Sequence, residues 1–141
     1  MEVEADRLAD ALRELGATTE SLYKLRVRVA GDDHSSIRDG RVATQLYRIA
    51  QEAVTNAVKH ARASAIEIEM HSRAGRTTLR VSDDGVGIPS PIPTQNGVGV
   101  RIMHHRATSI GAALSVGRGP DGGTVVTCTV RDPRAPKAQG G

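Results

Sequence analysis

Phenylalanine and tryptophan are absent from the 141 residues, and Tyr23 and Tyr47 are the only aromatic side chains. There is thus little surface on which nucleobases could stack, which argues against nucleic acid as a partner. The core has to be assembled from Ile, Leu, Val, Ala and Met, which carry less apolar area per residue, so modest stability is expected unless a ligand or partner adds to it. Cysteine is nearly absent: Cys128 stands alone and cannot close an internal disulfide, which points to a reducing, cytoplasmic setting. No apolar run approaches the roughly 20 residues of a membrane-spanning helix. The start MEVEADRLAD is acidic and polar where a signal peptide is basic and then apolar. Contact with a membrane is therefore not expected of this chain. A strong charge of one sign is lacking too. The formal net charge is +3, and residues 131–141 hold +2 of it through Arg131, Arg134 and Lys137 against Asp132. What remains is near neutral, with no clustered basic helix.

What is present is one domain's worth of chain with no internal repeat. Val3, Ala5, Leu8, Ala9, Leu12 and Leu15 recur at three- and four-residue spacing and Gly16 follows, so residues 2–15 read as a helix with Gly16 as its stop. Leu22, Leu25, Val27 and Val29 predict a strand over roughly 22–30, and a long helix follows over about 41–62. Residues 65–71 and 77–81 alternate apolar and polar positions around Ala74-Gly75-Arg76, which predicts a hairpin. The stretch SDDGVGIPSPIPTQNGVG has no period and is a loop of functional length. Helical spacing returns over 98–110, with Gly111 as C-cap. Residues 113–116 and 124–130 close as two strands, and 132–141 form a disordered tail by composition. Antiparallel strands with helices on one face describe an α+β protein, a two-layer α/β sandwich.

The long helix places Glu52, Asn56, Lys59 and His60 on one face, while Leu46, Ala50, Ala53, Ala57 and Ala61 fall on a separate core stripe. A carboxylate, a carboxamide oxygen and an ammonium at this spacing can polarise an attacking group, hold a magnesium ion and contact a phosphate. The same quartet is also what an ordinary solvated helix face presents. Downstream, Asp83-Asp84-Gly85-Val86-Gly87-Ile88 leaves a strand. Asp-Gly is the commonest hairpin signal, yet the Ile-Pro-Ser-Pro-Ile-Pro that follows cannot pair as a partner strand. Glycines there permit close backbone approach to a ligand, with Asp83 offering an acceptor to an amino group such as adenine N6. Asn96-Gly97-Val98-Gly99-Val100 then opens a helix, where backbone amides can receive phosphate oxygens. The third glycine of the dinucleotide fingerprint and the GK[ST] of a P-loop are missing.

Taken in order, QEAVTNAVKHA, DDGVGI, NGVGVRIMHHRATSIGAAL and GGTVV resemble the ATP-binding superfamily of gyrase, the heat-shock chaperone of about ninety kilodaltons, mismatch-repair ATPases and histidine kinases. LYRIAQEAVTNAVKHARAS and residues 97–114 are most similar to catalytic domains of sensor histidine kinases of the nitrate- and oxygen-sensor type, and the resemblance covers roughly residues 12–130. It implies a Bergerat-type ATP-binding fold, a mixed, mostly antiparallel sheet of about five strands with three helices on one face. It also implies ATP and Mg2+ as ligands and the following roles. Glu52 matches the acidic residue of the Asn-containing box and is the candidate catalytic base or polariser, and Asn56 matches the magnesium-binding Asn. Lys59 and His60 match positions lining the phosphates. Asp83 matches the adenine-reading aspartate, with Gly85, Gly87 and Ile88 in the same box. Gly97, Val98, Gly99 and Val100 match the second glycine box, and Thr124 matches a Thr that supports Asp83.

The chain also departs from that pattern. His104-His105 stands where relatives often carry Arg-Glu, no phenylalanine box exists, and the lid over 88–96 is short and proline-rich. No acceptor-histidine helix precedes Glu52, since His34 lies in the loop-like GDDHSSI. The resemblance thus implies a catalytic domain over residues 17–131 with a junction helix over 1–16. Its expected partners are an acceptor-histidine dimerisation domain of the same kinase and a downstream response regulator. A runner-up is an ATP-dependent regulatory module of the anti-sigma-factor serine kinase type, which would use a similar site.

Overall fold

In the computed structural model, which describes residues 2–31, 37–87, 94–120 and 122–131, α1 (Leu8–Tyr23) follows a 3-10 turn at Ala5–Arg7 and leads into β1 (Arg26–Gly31). Then come α2 (Gly40–Lys59), β2 (Ala65–Arg73), β3 (Arg76–Asp83), α3 (Thr94–Ser109), β4 (Ala113–Gly119) and β5 (Gly122–Arg131). The strands form a single sheet in the order β1-β2-β3-β5-β4. β1 lies parallel to β2, and every other neighbouring pair is antiparallel. This is the α+β sandwich expected from the sequence. No helix among the described residues is long and apolar enough to cross a membrane.

Alternation decides the two faces of the sheet. Val27, Ile66, Ile68, Met70, Leu79, Val81, Val126, Cys128 and Val130 face the helices and pack into one core. Glu67, Glu69, Thr78 and Arg80 occupy the opposite, solvated face, where the Thr78 and Thr129 hydroxyls lie 3.3 Å apart. α1 packs on β1, α2 on β2, β3 and β5, and α3 on β4. Leu8, Leu12, Leu46, Ile49, Ile68 and Leu79 are fully buried, each contributing roughly 1.5–3 kcal/mol of transfer free energy. The hairpin between β2 and β3 turns on Ala74 and Gly75, both at positive φ (53° and 80°), as a tight two-residue turn requires.

Three boundaries differ from the sequence reading. α1 does not stop at Gly16 but runs on to Tyr23, so the strand expected from residue 22 begins only at Arg26, and the junction placed at residue 16 falls inside the helix. Gly16 is a packing residue: a Cβ built there would sit 2.8 Å from Val29 Cγ2 and 3.2 Å from Val27 Cγ1. The real stop is Lys24, left-handed at φ 56°, whose N–H caps the Glu20 carbonyl. α2 ends at Lys59 rather than near Arg62, because His60 and Ala61 both donate to the Asn56 carbonyl and the helix unwinds there. α3 begins at Thr94, so Gly97 and Gly99 lie within the helix and not in a loop before it. Residues 132–141 lie outside the described residues.

Gly16→Ala tests the close contact of α1 with β1. An uncrowded glycine inside a helix would gain up to about 1 kcal/mol from the better helix former. The crowding against Val27 and Val29 instead predicts a net loss of about 1–2 kcal/mol in urea unfolding, with the midpoint shifted and the slope unchanged.

Candidate functional site

A narrow cleft opens between α2, α3 and the helix-facing side of β3, β5 and β4, with about 480 Å³ of space counting the part open to solvent. Its floor is an aliphatic row set by strand register: Val81 pairs with Val126, and Val126 pairs with Val116. Ala53 and Ala61 of the helix side and Met103 of α3 complete the apolar walls. Asn56, His60, Asp83, Gly87 and Thr124 supply the polar and backbone lining.

Asp83 ends β3 at the cleft, half-buried. Its Oδ1 accepts hydrogen bonds from the N–H of Gly85 at 2.8 Å and of Thr124 at 3.4 Å. Oδ2 has no hydrogen-bond partner among the described residues, which leaves it as an acceptor for a ligand. Burial holds the carboxyl above the usual aspartate range, against the opposing pull of the two amides, and the neighbouring Asp84 charge adds to the rise. The support from Thr124 comes through its backbone amide. Gly123 is what lets that amide approach, because a Cβ there would overlap the Asp83 carbonyl. Gly85 is likewise pressed on the Ala61 carbonyl, which lies close to where its Cβ would be, and that carbonyl accepts from Val86 N–H at 2.9 Å.

On the other side, Asn56 and Glu52 are partly buried on α2, and their side chains have no hydrogen-bond partner among the described residues. Gly99 of α3 lies directly against both. A Cβ at Gly99 would come within 2.6 Å of Glu52 Oε1 and 3.1 Å of Asn56 Oδ1, so any larger residue there would make the Glu52 carboxylate shift. His60 is exposed, lines the cleft and caps α2. Lys59 is exposed and does not line it. Val100 points into the core and Val98 into solvent, so neither lines the cleft, while Gly97 is half-buried in the first turns of α3. Ile88 lies outside the described residues, as do 89–93 of the expected lid. Among the described residues no group of three His, Cys, Asp or Glu side chains is placed to hold a metal ion. A cation at Asn56 would draw its other oxygens from a bound ligand and water, which suits magnesium.

The sequence reading missed Asp84. Its Oδ1 accepts from the N–H groups of Ser64 and Ala65 at 2.8 and 2.9 Å, and its Oδ2 accepts from the Ser64 hydroxyl at 2.5 Å. These bonds hold its carboxyl below the usual range. It faces away from the cleft and pins the start of β2. The apolar walls were also missed as site residues, although the alternation that marks Val81 and Val126 as core is visible in the sequence. Ala53 and Ala61 were read as core alone and serve the cleft as well.

A family model described as histidine kinase-, DNA gyrase B- and HSP90-like ATPase matches residues 41–134. The nitrate/nitrite sensor protein NarQ of Escherichia coli is 30% identical over 133 residues, covering 94% of this chain and 24% of that protein. The nitrate/nitrite sensor protein NarX of the same organism is 37% identical over 87 residues, covering 62% of this chain and 14% of NarX. This chain therefore spans about a quarter or less of the length of these relatives. The ATP binding domain of PrrB from Mycobacterium tuberculosis superposes with a TM-score of 0.72 at 20% identity, covering 94% of this chain and 97% of that one, and so shares the fold.

Asp83 and Asp84 should respond to pH in opposite senses. Asp84, with its depressed pKa, contributes stability that is present above the unfolded value near 3.9 and is lost as pH falls through the lower folded value. Asp83, with its raised pKa, favours the folded state below the unfolded value and loses that contribution as pH rises through the folded one. At pH 7, Asp84→Ala should cost about 1 kcal/mol, as the loss of a cap does, and that deficit should shrink toward pH 3. Asp83→Asn should equal or exceed the unaltered chain in stability at pH 7. Urea unfolding from pH 3 to pH 7 checks both, and a clear loss on Asp83→Asn at pH 7 contradicts the assignment.

Proposed function

Because the chain belongs to the histidine kinase-, DNA gyrase B- and HSP90-like ATPase family, we propose that its cleft binds Mg-ATP and presents the γ-phosphoryl group to a histidine on a separate dimerisation domain. The observation that carries this reading is Asp83. A half-buried carboxylate is fixed through Oδ1 by two backbone amides and keeps Oδ2 for an amino group, beside an aliphatic floor. Adenine offers that amino group at N6. The Val116, Val126, Val81 and Met103 surface takes the ring faces, and the polarizable thioether of Met103 substitutes for the aromatic wall the chain lacks.

With the base at Asp83, the phosphates extend toward Asn56 and the first turns of α3. Asn56 Oδ1 is the protein oxygen available to magnesium, and the ion supplies charge neutralisation on the phosphate oxygens. His60 lines the same end of the cleft and donates to a phosphate oxygen. Lys59, exposed at the helix end, contributes a charge from the rim. Gly99, inside α3, brings the backbone of that helix against Asn56 with no side chain between them, so α3 borders the phosphate end. Transfer then breaks the bond between the γ-phosphorus and its bridging oxygen and forms one to an imidazole nitrogen of the acceptor. Glu52, one turn before Asn56, polarises or accepts the imidazole proton, a minor task for a group already largely neutral at pH 7. The catalytic unit in this reading takes in α1, whose Leu8 and Leu12 belong to the core, and ends with β5; a response regulator is the downstream partner, and the compartment is the cytoplasm. The similarity to NarQ and NarX, both sensor proteins, supports this class.

Two outcomes follow. In calorimetric titration the chain should bind a non-hydrolysable Mg-ATP analogue, with Asn56→Ala and Asp83→Ala each weakening binding tenfold or more, the loss of about one charge-assisted hydrogen bond or ligand contact. Unchanged binding in both variants refutes the site. Incubated alone with labelled ATP, the chain should take up no label on its own histidines, whereas adding an acceptor-histidine helix pair in trans should yield acid-labile phosphate on that partner.

A further inference from the structure

α2 and α3 carry two contacts whose spacing is the same on both helices. Gly99 lies against Glu52, and seven residues further along α3 Arg106 Nη1 donates to Gln45 Oε1 at 3.1 Å, seven residues back along α2. Seven residues is two turns, about 10.5 Å of helix axis, so the two antiparallel helices are pinned at both ends of that length. Neither Gln45 nor Arg106 lines the cleft.

The remaining contact surface of α3 is aliphatic: Val100, Met103, Ala107 and Ile110 are buried in the common core. Aliphatic ridges carry no directional bond that singles out one register, and helices do ratchet by a turn past one another. A directional hydrogen bond from a partly buried guanidinium does not tolerate such a step. The amino-terminal turns of α3 also contain Gly97 and Gly99, each about 1 kcal/mol poorer than alanine for a helix. The helix is thus weakest where it meets Asn56 and is held from its far half.

We propose that Arg106 and Gln45 form a positioning pair that sets the register of α3 along α2, and so places the Gly97 and Gly99 backbone at the phosphate end of the cleft. The proposal rests on the ATP-site reading above. Its consequence is selective. Loss of the pair disturbs the phosphate end and leaves the Asp83 end, built from β3, β5 and the Gly85 turn, as it was.

The test uses the full chain with Arg106→Ala, Gln45→Leu, the double variant and Gln45→Glu, titrated with adenosine and with a non-hydrolysable Mg-ATP analogue and followed in 1H–15N spectra. Each single variant should weaken the ATP analogue about tenfold and leave adenosine within about twofold. The double variant should be no worse than the singles, and Gln45→Glu, a stronger acceptor, should retain full affinity. The amide signals of Gly97 and Gly99 should move in the singles and stay in place in Gln45→Glu. Equal losses on both ligands, additive losses in the double variant, or no loss at all would overturn the pair's role. If the unaltered chain binds neither ligand, the ATP-site reading fails, and this proposal with it. If it binds both and the variants behave non-selectively, only the positioning pair fails.

Discussion

Drawing a carboxylate partly out of water disfavours its charged form, and at Asp83 the chain answers with two amides that lie far apart in sequence. That demand constrains much around it. The Gly85 amide reaches Oδ1 only because the chain folds back at once after β3 and presses Gly85 onto Ala61. The Thr124 amide reaches the same oxygen only because β5 continues its register past Ser82 and Val125, with no side chain at Gly123. Asp84 anchors the turn from the other side by gripping the backbone at the start of β2. Of two adjacent acids, one is bonded through both oxygens and is structural. The other is bonded through one and keeps the second for a ligand.

The helical side follows a similar economy of space. α2 meets the sheet through Ala50, Ala53 and Ala57, so a polar face beginning one residue away sits near the sheet ends instead of standing off in solvent. Small residues thus do what a deep groove between large ones does in other folds. They bring Asn56 into the same cleft as Asp83. The absence of Phe and Trp has the same effect on the floor, which is a row of valines fixed by cross-strand register.

Strict alternation made the β2–β3 hairpin legible in the sequence, turn included, because a period of two leaves one face for the core and one for water. The stripe of Leu46, Ala50, Ala53, Ala57 and Ala61 on α2 was legible for the corresponding helical reason, and all five are buried. Glycine misled twice. At Gly16 and again at Gly97 and Gly99 the sequence suggests an end or a loop, since glycine is a poor helix former. All three stand inside helices, and at two of them a neighbour comes close to where a Cβ would be: Val29 at Gly16, Glu52 and Asn56 at Gly99. That neighbour is remote in the chain, and no local pattern encodes it. The same holds for Asp84, whose partners are twenty residues upstream, and for the valine floor, which exists only once strands are paired. Asp83, Asn56, His60, Gly87 and Thr124 were singled out from sequence and do meet at one cleft, whereas Lys59, Val98 and Val100 were singled out and do not line it.

α3 is the element whose place is least determined by its own residues. Its exposed positions include Val98 and Ile102, so its apolar surface does not mark a single buried face, and its first turns hold two glycines. A helix of that composition takes its position from what it touches, and what it touches at its weak end is the pair of side chains, Glu52 and Asn56, that a nucleotide's phosphates would approach. Ligand and helix therefore compete for, or share, the same few ångströms. The half of α3 carrying Met103 and Ala107 is buried against the rest of the core, and the half carrying Gly97 and Gly99 is the part that borders Glu52 and Asn56.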